Sequence, residues 1–376
     1  MSELESFCLG DLATFKYGKM PNKKKVSDSG EYPVYSGYRY VGYYDEYNIE
    51  AGQLIIVARG VGGTGDVKLT KEKCWLTNLS IAAKIFDYEK VIPQYLYYMF
   101  KRNNLRYLDS GSAQSQITIF DLERVKVSLP PLETQKKIVA VLSALDDKIE
   151  LNNAINRNLE EQAQATYKKI CLRAKLAPLS ELIEIVESGS RPKGGATTSG
   201  IPSIGAEKID GFGRYDYSNE KFIDTDYFKR LKRGIVFSGD VMLYKDGAYT
   251  GKSSMALDGF PHEICAVNEH VFLLRTKDSR AQFFLYFTLR NEDVYKKIHV
   301  LACGKAAQPG LNQKELMCVT SFLPEEEVIQ KFESVVSPMM HSIALNALEN
   351  KKLGDVRDSL LPRLMSGEID VSAVEI

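Results

Sequence analysis

One long amphipathic pattern occurs twice in this 376-residue chain at a fixed separation, and that repeat constrains the fold more than any other feature of the sequence. Ala113-Gln114-Ser115-Gln116-Ile117-Thr118 aligns with Ala307-Gln308-Pro309-Gly310-Leu311-Asn312 at an offset of 194. The register then runs on without a gap, matching Asp121 to Glu315, Leu122 to Leu316, Val125 to Val319, Leu129 to Leu323 and Pro130 to Pro324. Beyond it, Ile138, Leu142, Leu145, Ile149, Asn152, Asn156, Leu159, Ala163, Thr166 and Ile170 alternate steps of four and three, the spacing of a helix with a heptad seam. The same offset gives Phe332, Val336, Met339, Ile343, Asn346, Asn350, Leu353, Arg357, Leu360 and Leu364. Both copies place asparagines at the same two seam positions.

A helix of about 35–40 residues is roughly 55–60 Å long, and neither copy can leave its seam in water. Related by a pseudo-two-fold axis, the two helices run antiparallel. Asn152 then meets Asn350 and Asn156 meets Asn346, flanked by Ile149 against Leu353 and Leu159 against Ile343. Leu142 against Leu360 and Ile170 against Phe332 complete the series. A polar layer of this kind fixes register at some expense of stability. A parallel pairing also brings asparagines together, but it puts both globular segments at one end.

Upstream of each helix the copies resemble one another more loosely. Leu9-Gly10-Asp11-Leu12 matches Leu179-Ser180-Glu181-Leu182, Gly18 with Pro21 matches Gly189 with Pro192, and Gly52-Gln53-Leu54-Ile55 matches Gly239-Asp240-Val241-Met242. The offset moves from about 169 to 187, which places an insertion near residues 206–235. Short alternating runs at 53–57, 80–85, 240–243 and 270–274 predict strands, and 95–101 and 282–290 predict helices. The expected fold is α+β: two mixed α/β domains, 1–131 and 176–324, joined by a pair of long antiparallel coiled-coil helices, 132–175 and 325–376.

No apolar run approaches the roughly 18 residues of a membrane span, and the N-terminus lacks a basic start followed by an apolar core, so a cytoplasmic protein is expected. Six scattered cysteines form no CxxC pair and suggest neither a disulfide framework nor a zinc site. Net charge is zero, with a surplus of two positive charges over 132–175 and of five negative charges over 325–376, so the helices are opposite in sign, which favours their partnership.

Gly111-Ser112-Ala113-Gln114 through Ile117, then Leu122 and Ser128-Leu129-Pro130-Pro131-Leu132-Glu133-Thr134-Gln135, resembles the boundary between target-recognition domain and conserved helix in the DNA specificity subunits of type I restriction-modification systems. Gly304 to Leu311 with Phe322-Leu323-Pro324 resembles it again, and Leu360-Leu361-Pro362-Arg363-Leu364-Met365-Ser366-Gly367-Glu368-Ile369 is similar to the family's last helix. Pro324-Glu325-Glu326-Glu327 departs from the pattern, lacking the second proline and the Glu-Gln pair. The resemblance implies a non-catalytic reader of a bipartite site on double-stranded DNA, with the helices as a ruler; 55–60 Å is on the order of 16–18 base pairs. It also implies docking of methylase subunits, two of them, with restriction subunits as further partners. No cofactor is expected in this chain; S-adenosylmethionine belongs to the methylase partner, and ATP and magnesium to the restriction partner. A coiled-coil scaffold with protein-binding ends, or a stand-alone enzyme using its glycine loops, are the competing readings.

Three motifs point toward catalysis and stop short. Gly60-Val61-Gly62-Gly63-Thr64-Gly65 satisfies GxGxxG but is followed by a strand-like run, where a dinucleotide site needs a helix N-terminus. Its repeat counterpart, Gly247-Ala248-Tyr249-Thr250-Gly251-Lys252-Ser253, is one residue short of a P-loop, with Asp246 in place of the first glycine. His262, Cys265 and His270 match no metal-ligand spacing, so no metal is expected. As DNA contacts, basic and amide side chains on loops and strand ends are the candidates. In the first copy these are Lys19, Lys23, Lys24 and Lys25, then Arg39, Tyr40, Arg59, Gln114 and Gln116. In the second they are Arg191, Lys193, Lys245, Tyr249, Lys252 and Gln308. Gln114 and Gln308 serve equally well as anchors between domain and helix.

Overall fold

The computed structural model describes residues 4–37, 39–60, 63–109, 116–304 and 310–374. The first copy runs β1 (Glu5–Cys8), β2 (Ala13–Tyr17), β3 (Tyr32–Ser36), β4 (Arg39–Tyr44), β5 (Leu54–Val57), β6 (Val67–Leu69), β7 (Trp75–Leu76), β8 (Ser80–Ile85), α1 (Pro93–Arg102), α2 (Ile119–Glu123), β9 (Lys126–Leu129) and α3 (Leu132–Cys171). The second copy starts with β10 (Lys175–Pro178), β11 (Ile183–Ser188), β12 (Ile201–Ile204), β13 (Phe222–Ile223), α4 (Thr225–Lys229), β14 (Val241–Tyr244), β15 (Ser253–Met255), β16 (Ala266–Val267) and β17 (Val271–Thr276). It ends with α5 (Gln282–Arg290), α6 (Glu292–Cys303), α7 (Gln313–Cys318), β18 (Thr320–Leu323) and α8 (Glu326–Met365). Both long helices have 40 residues, and their ends coincide at the 194-residue offset. The chain packs as two compact units, residues 1–147 with 354–376, and residues 148–353.

In unit one the strands order as β2-β8-β5-β6 and as β4-β3-β7, with a separate ribbon of β1 and β9. β3 and β7 pair in parallel, Val34 against Trp75. Unit two repeats this plan strand for strand, as β11-β17-β14-β15, β13-β12-β16 and the ribbon β10-β18, again with a parallel pair, Ser203 against Ala266. The insertion falls between β12 and β14 and carries a 3-10 turn, Ala206–Lys208, and α4. Lys208, only 8% exposed, pins it by donating to the carbonyl of Asp216 at 2.7 Å and that of Ser218.

Local chemistry repeats along with topology. Thr118 and Asp121 form a capping box that starts α2, and Asn312 and Glu315 form the matching box that starts α7. The matched glycines mark close backbone approaches: a Cβ on Gly18 would lie 2.3 Å from the Thr77 carbonyl oxygen, and one on Gly189 would lie 1.6 Å from that of Val267.

Each unit buries one face of its helix segments. In unit one, Ile138 and Leu142 of α3 and Leu361 and Leu364 of α8 join the core beneath β2, β5, β8 and α1, together with Val371 beyond α8. In unit two the core is built on Ala163, Tyr167, Phe332, Val336, Met340, Ile343 and Ala344, packed under α5. The seam read from the sequence is corrected at Leu361, buried where the spacing predicts Leu360, and at two places in unit two. Tyr167 is buried against Phe284 (5.3 Å between centroids) and Phe332 (6.2 Å), whereas Thr166 turns its hydroxyl to its own helix at the Gln162 carbonyl, 2.9 Å away. On α8, Met340 is fully buried and Met339 only partly. The cause is the same at both sites: this stretch of helix lies under a globular domain as well as against its partner helix, so its apolar face is wider than a two-residue seam.

Within unit two α3 and α8 run antiparallel. Asn152, 1% exposed, donates to Asn350 Oδ1 at 2.9 Å and to Glu349 Oε2 at 2.7 Å. Asn346 donates to Asn156 Oδ1 at 2.8 Å, and Asn350 to Asn153 Oδ1 at 3.0 Å. Ile343 is buried beside them, while Ile149, Leu159 and Leu353 are half-buried. Within unit one the direction is the same, with Arg357 on Asp146 at 2.6 Å and Lys137 on the Ser372 carbonyl.

Candidate nucleic-acid interface

The glycine-rich segments close hairpins. Gly65, with φ of +89°, donates to the Val57 carbonyl at 2.9 Å, and Gly251, with φ of +103°, donates to that of Tyr244 at 2.9 Å. β6 follows the first turn and β15 the second. A helix N-terminus, which pyrophosphate binding needs, does not follow either. At the root of each hairpin, one residue makes an isolated antiparallel bridge to the segment returning toward the long helix: Arg59 to Gln116 in unit one, Asp246 to Gly310 in unit two.

In unit one, Lys23, Lys24 and Lys25 form an exposed 3-10 turn that Asn22 caps. Lys19 is exposed, and its carbonyl accepts from Trp75 Nε1 at 2.7 Å. Arg39 and Tyr40 open β4 on the surface, and Tyr40 meets Tyr35 and Tyr43 edge-on at 6.4 and 5.5 Å. Arg59 is half-buried, and among the described residues its Nε has no hydrogen-bond partner. Gln116 is held through its backbone N–H by Asp109 at 3.0 Å. Gln114 lies outside the described residues, as does Gln308 of the second copy.

In unit two, two groups of candidates gather. Lys245 and Arg191 stand at the ends of one ladder of polar contacts: Lys245 to Asp246 (3.4 Å), Asp246 to His270 (3.3 Å), His270 to Glu269 (3.6 Å) and Glu269 to Arg191 (3.9 Å). Arg191, Glu269 and His270 line a cleft of about 150 Å³ with Lys221 and Asn268. Tyr249 and Lys252 border a larger groove of about 590 Å³ with Lys208, Asp210, Arg214 and Tyr244. Lys252 lies 4.7 Å over the Tyr249 ring and donates to Asp210 at 2.7 Å. Lys193 is exposed in the turn after Arg191.

Arg214, Tyr244 and His270 line these clefts and Asp246 contacts Lys245 and His270, though none of the four is among the contacts expected from the sequence. The insertion hides the first, and the last three carry no motif. The tyrosines between Tyr32 and Tyr47 are a compositional cluster that could have drawn attention to that surface. The histidines and cysteine considered as ligands each have another partner: His262 contacts Glu220 at 2.6 Å, His270 contacts Asp246, and the Cys265 thiol is buried, which raises its pKa to about 12. Among the described residues no cluster of His, Cys, Asp and Glu is built to hold a metal, and no helix is long and apolar enough to cross a membrane.

Residues 1–161 match the family model described as the type I restriction modification DNA specificity domain. The chain is 24% identical over 357 residues to the type I restriction enzyme HindI specificity subunit of Haemophilus influenzae, covering 74% of this chain and 78% of that protein. It is also 24% identical over 315 residues to the MjaIX specificity subunit of Methanocaldococcus jannaschii, covering 76% of this chain and 71% of the other. The crystal structure of the type I restriction-modification S subunit from M. genitalium shares the fold, with a TM-score of 0.61 over 96% of both chains at 16% identity. The resemblance to specificity subunits of type I systems thus extends across both copies of the repeat.

Proposed function

We propose that this chain, whose residues 1–161 belong to the type I restriction modification DNA specificity domain family, is the DNA-reading subunit of such a system and that it recognises a bipartite target. Residues 1–131 and 176–324 are the two target-recognition domains, and the helical segments 132–175 and 325–376 fix the spacing between half-sites and dock methylase subunits, two of them, with restriction subunits as further partners. Chemistry is supplied by those partners: S-adenosylmethionine by the methylase, ATP and magnesium by the restriction subunit. The chain itself binds no cofactor and acts in the cytoplasm.

The observation that carries this reading is the duplication of one domain topology around helices of identical length, while the residues at the hairpin roots differ. Identical copies would read identical half-sites, and diverged ones read two different half-sites. The zero net charge fits a reader that shares phosphate neutralisation with partner subunits, since each phosphate contact adds to affinity and to its salt dependence. Lys19, Lys23, Lys24, Lys25, Arg39, Tyr40, Arg59, Gln114 and Gln116 serve one half-site; Arg191, Lys193, Lys245, Tyr249, Lys252 and Gln308 serve the other.

The test is methylation by the complex reconstituted with its methylase. Arg59→Ala is expected to relax or abolish recognition of one half-site, weakening binding to that sequence by about 1–3 kcal/mol, with folding intact by circular dichroism. Unchanged methylation specificity would refute the assignment of Arg59. Failure of the wild-type complex to retain DNA under conditions where methylase alone also fails would refute the reading as a whole.

A further inference from the structure

The hairpin roots carry opposite charge. Arg59 follows β5 and Asp246 follows β14 at equivalent positions of the repeat, and each bridges to the returning segment, at Gln116 and Gly310. Their surroundings differ to match. Around Arg59 the chain supplies Ala58 and Leu79, the Leu79 carbonyl accepting from the Arg59 backbone N–H at 3.1 Å, and Arg59 Nε is left without a partner among the described residues. By strand pairing, Val57 against Ser80 and Tyr244 against Val271, the counterparts of Ala58 and Leu79 are Lys245 and His270, and both direct a nitrogen at Asp246 Oδ2, at 3.4 and 3.3 Å. Oδ1 of Asp246 has no hydrogen-bond partner among the described residues, and the side chain is 24% exposed.

A carboxylate facing DNA is ordinarily repelled by phosphates. Here the Lys245 ammonium offsets that repulsion, and with the His270 ring nitrogen it occupies one oxygen and leaves the other to accept. A guanidinium only donates and a carboxylate only accepts. In the major groove guanine offers two acceptors, O6 and N7, whereas cytosine offers its N4 amino donor. Resting on the DNA-reading role proposed above, we infer that Asp246 is the base-reading residue of unit two and that the two units read with opposite hydrogen-bond polarity, Arg59 donating to a guanine and Asp246 accepting from the amino group of a cytosine.

The test uses the full chain in complex with its methylase subunits and a pool of random-sequence duplex DNA, from which bound molecules are recovered and sequenced. The wild-type complex is expected to recover two short motifs. Asp246→Asn keeps the side-chain shape but adds a donor, and asparagine pairs with adenine N6 and N7. One position of one motif is therefore expected to change from cytosine to adenine, with a loss of about 5- to 150-fold in affinity for the wild-type sequence. The other motif stays unchanged. Arg59→Gln is expected to move one guanine of the other motif in the same manner. Lys245→Met, which removes a neutralising cation and no base contact, is expected to weaken all sequences alike.

Recovery of both wild-type motifs by the Asp246→Asn complex overturns the inference. So does a uniform loss of affinity with preferences kept, which would make Asp246 a support for Lys245 and His270. If the wild-type complex itself recovers no motif, the DNA-reading role fails and the inference falls with it.

Discussion

The two units attach a globular domain to the same pair of helices with different chemistry. In unit one the N-terminus of α1 is held by an amide: Gln135 of α3 accepts from the Ile92 N–H at 3.1 Å and donates to the carbonyls of Lys90 and Pro130 at 2.8 and 2.9 Å. In unit two the N-terminus of α5 is held by a carboxyl, Glu333 of α8, which accepts from the Phe284 N–H at 2.7 Å. Glu333 stands one helical turn further along the repeat than Gln135. The polar clasps have moved as well. Asp146 holds Tyr98 at 2.8 Å and Arg357 at 2.6 Å in unit one, and Glu160 holds Tyr286 at 2.8 Å and Arg290 at 3.1 Å in unit two. The repeat positions of Asp146 and Arg357 are Met340 and Ala163, both buried. The lesson is that the apolar pattern and the capping boxes preserve the fold, while a buried hydroxyl or helix end is satisfied by any polar group within reach.

The largest expected effect tests the apolar part of this comparison. Phe332, fully buried under α5, occupies the repeat position of Ile138. Phe332→Ala should destabilise unit two by about 3–5 kcal/mol, and Ile138→Ala should destabilise unit one by about 2–5 kcal/mol. Urea unfolding followed by hydrogen exchange in each unit would separate them. Equal loss of protection in both units from either substitution would break the description of two separate cores.

Next comes the asparagine layer. Asn152→Leu leaves the Asn350 carbonyl oxygen without this donor and Glu349 with Lys148 alone, and should cost about 1–3 kcal/mol. Adding Asn350→Leu should recover part of that loss, because removing both partners is less damaging than orphaning one. Additive losses in the double-mutant cycle would show that the two amides do not interact.

The smallest effect is a slope with pH. Burial raises the Glu333 carboxyl from its ordinary 4.5 to about 8, partly opposed by the backbone N–H groups of Phe284 and Phe283. The folded state therefore keeps a proton that the unfolded chain has lost, so the stability this group contributes is complete below about pH 4.5 and is lost as pH rises toward 8. Unit two should melt at progressively lower temperature between about pH 5 and 8, and Glu333→Gln should flatten that dependence. The amide at Gln135 gives unit one no such pH dependence. An unchanged slope in the Glu333→Gln protein would place the titration elsewhere.

Much of this architecture is legible in the amino-acid sequence. The starts of the two long helices, the strands β5, β8, β14 and β17, α5 to the residue and the facing of the asparagines all follow from local periodicity and from the repeat, whereas the helices stop at Cys171 and Met365, short of the expected 175 and 376. The features that are not legible depend on distant partners. β1 reads as nothing in particular until β9 pairs with it, Ser6 against Ser128, and the parallel contact of β3 with β7 joins segments some forty residues apart. Met340 and Ala344 belong to a second apolar stripe that exists only because α5 covers it, and a heptad reading assigns such positions to the flanks. Glu333 looks like one more charge on a charged helix until the end of α5 is placed over it. For the proposed interface, basic residues on loops are easy to nominate, but the proposed role of Asp246 is not, since its charge has the wrong sign for DNA until Lys245 and His270 are seen against it.

The claim that the two copies read two different half-sites at a fixed distance is tested most directly by mapping methylated bases across the DNA of a host that expresses this chain with its methylase. The expected result is one bipartite motif, two dissimilar short sequences separated by an unspecified spacer of constant length. A single contiguous motif, or a spacer of variable length, would contradict it.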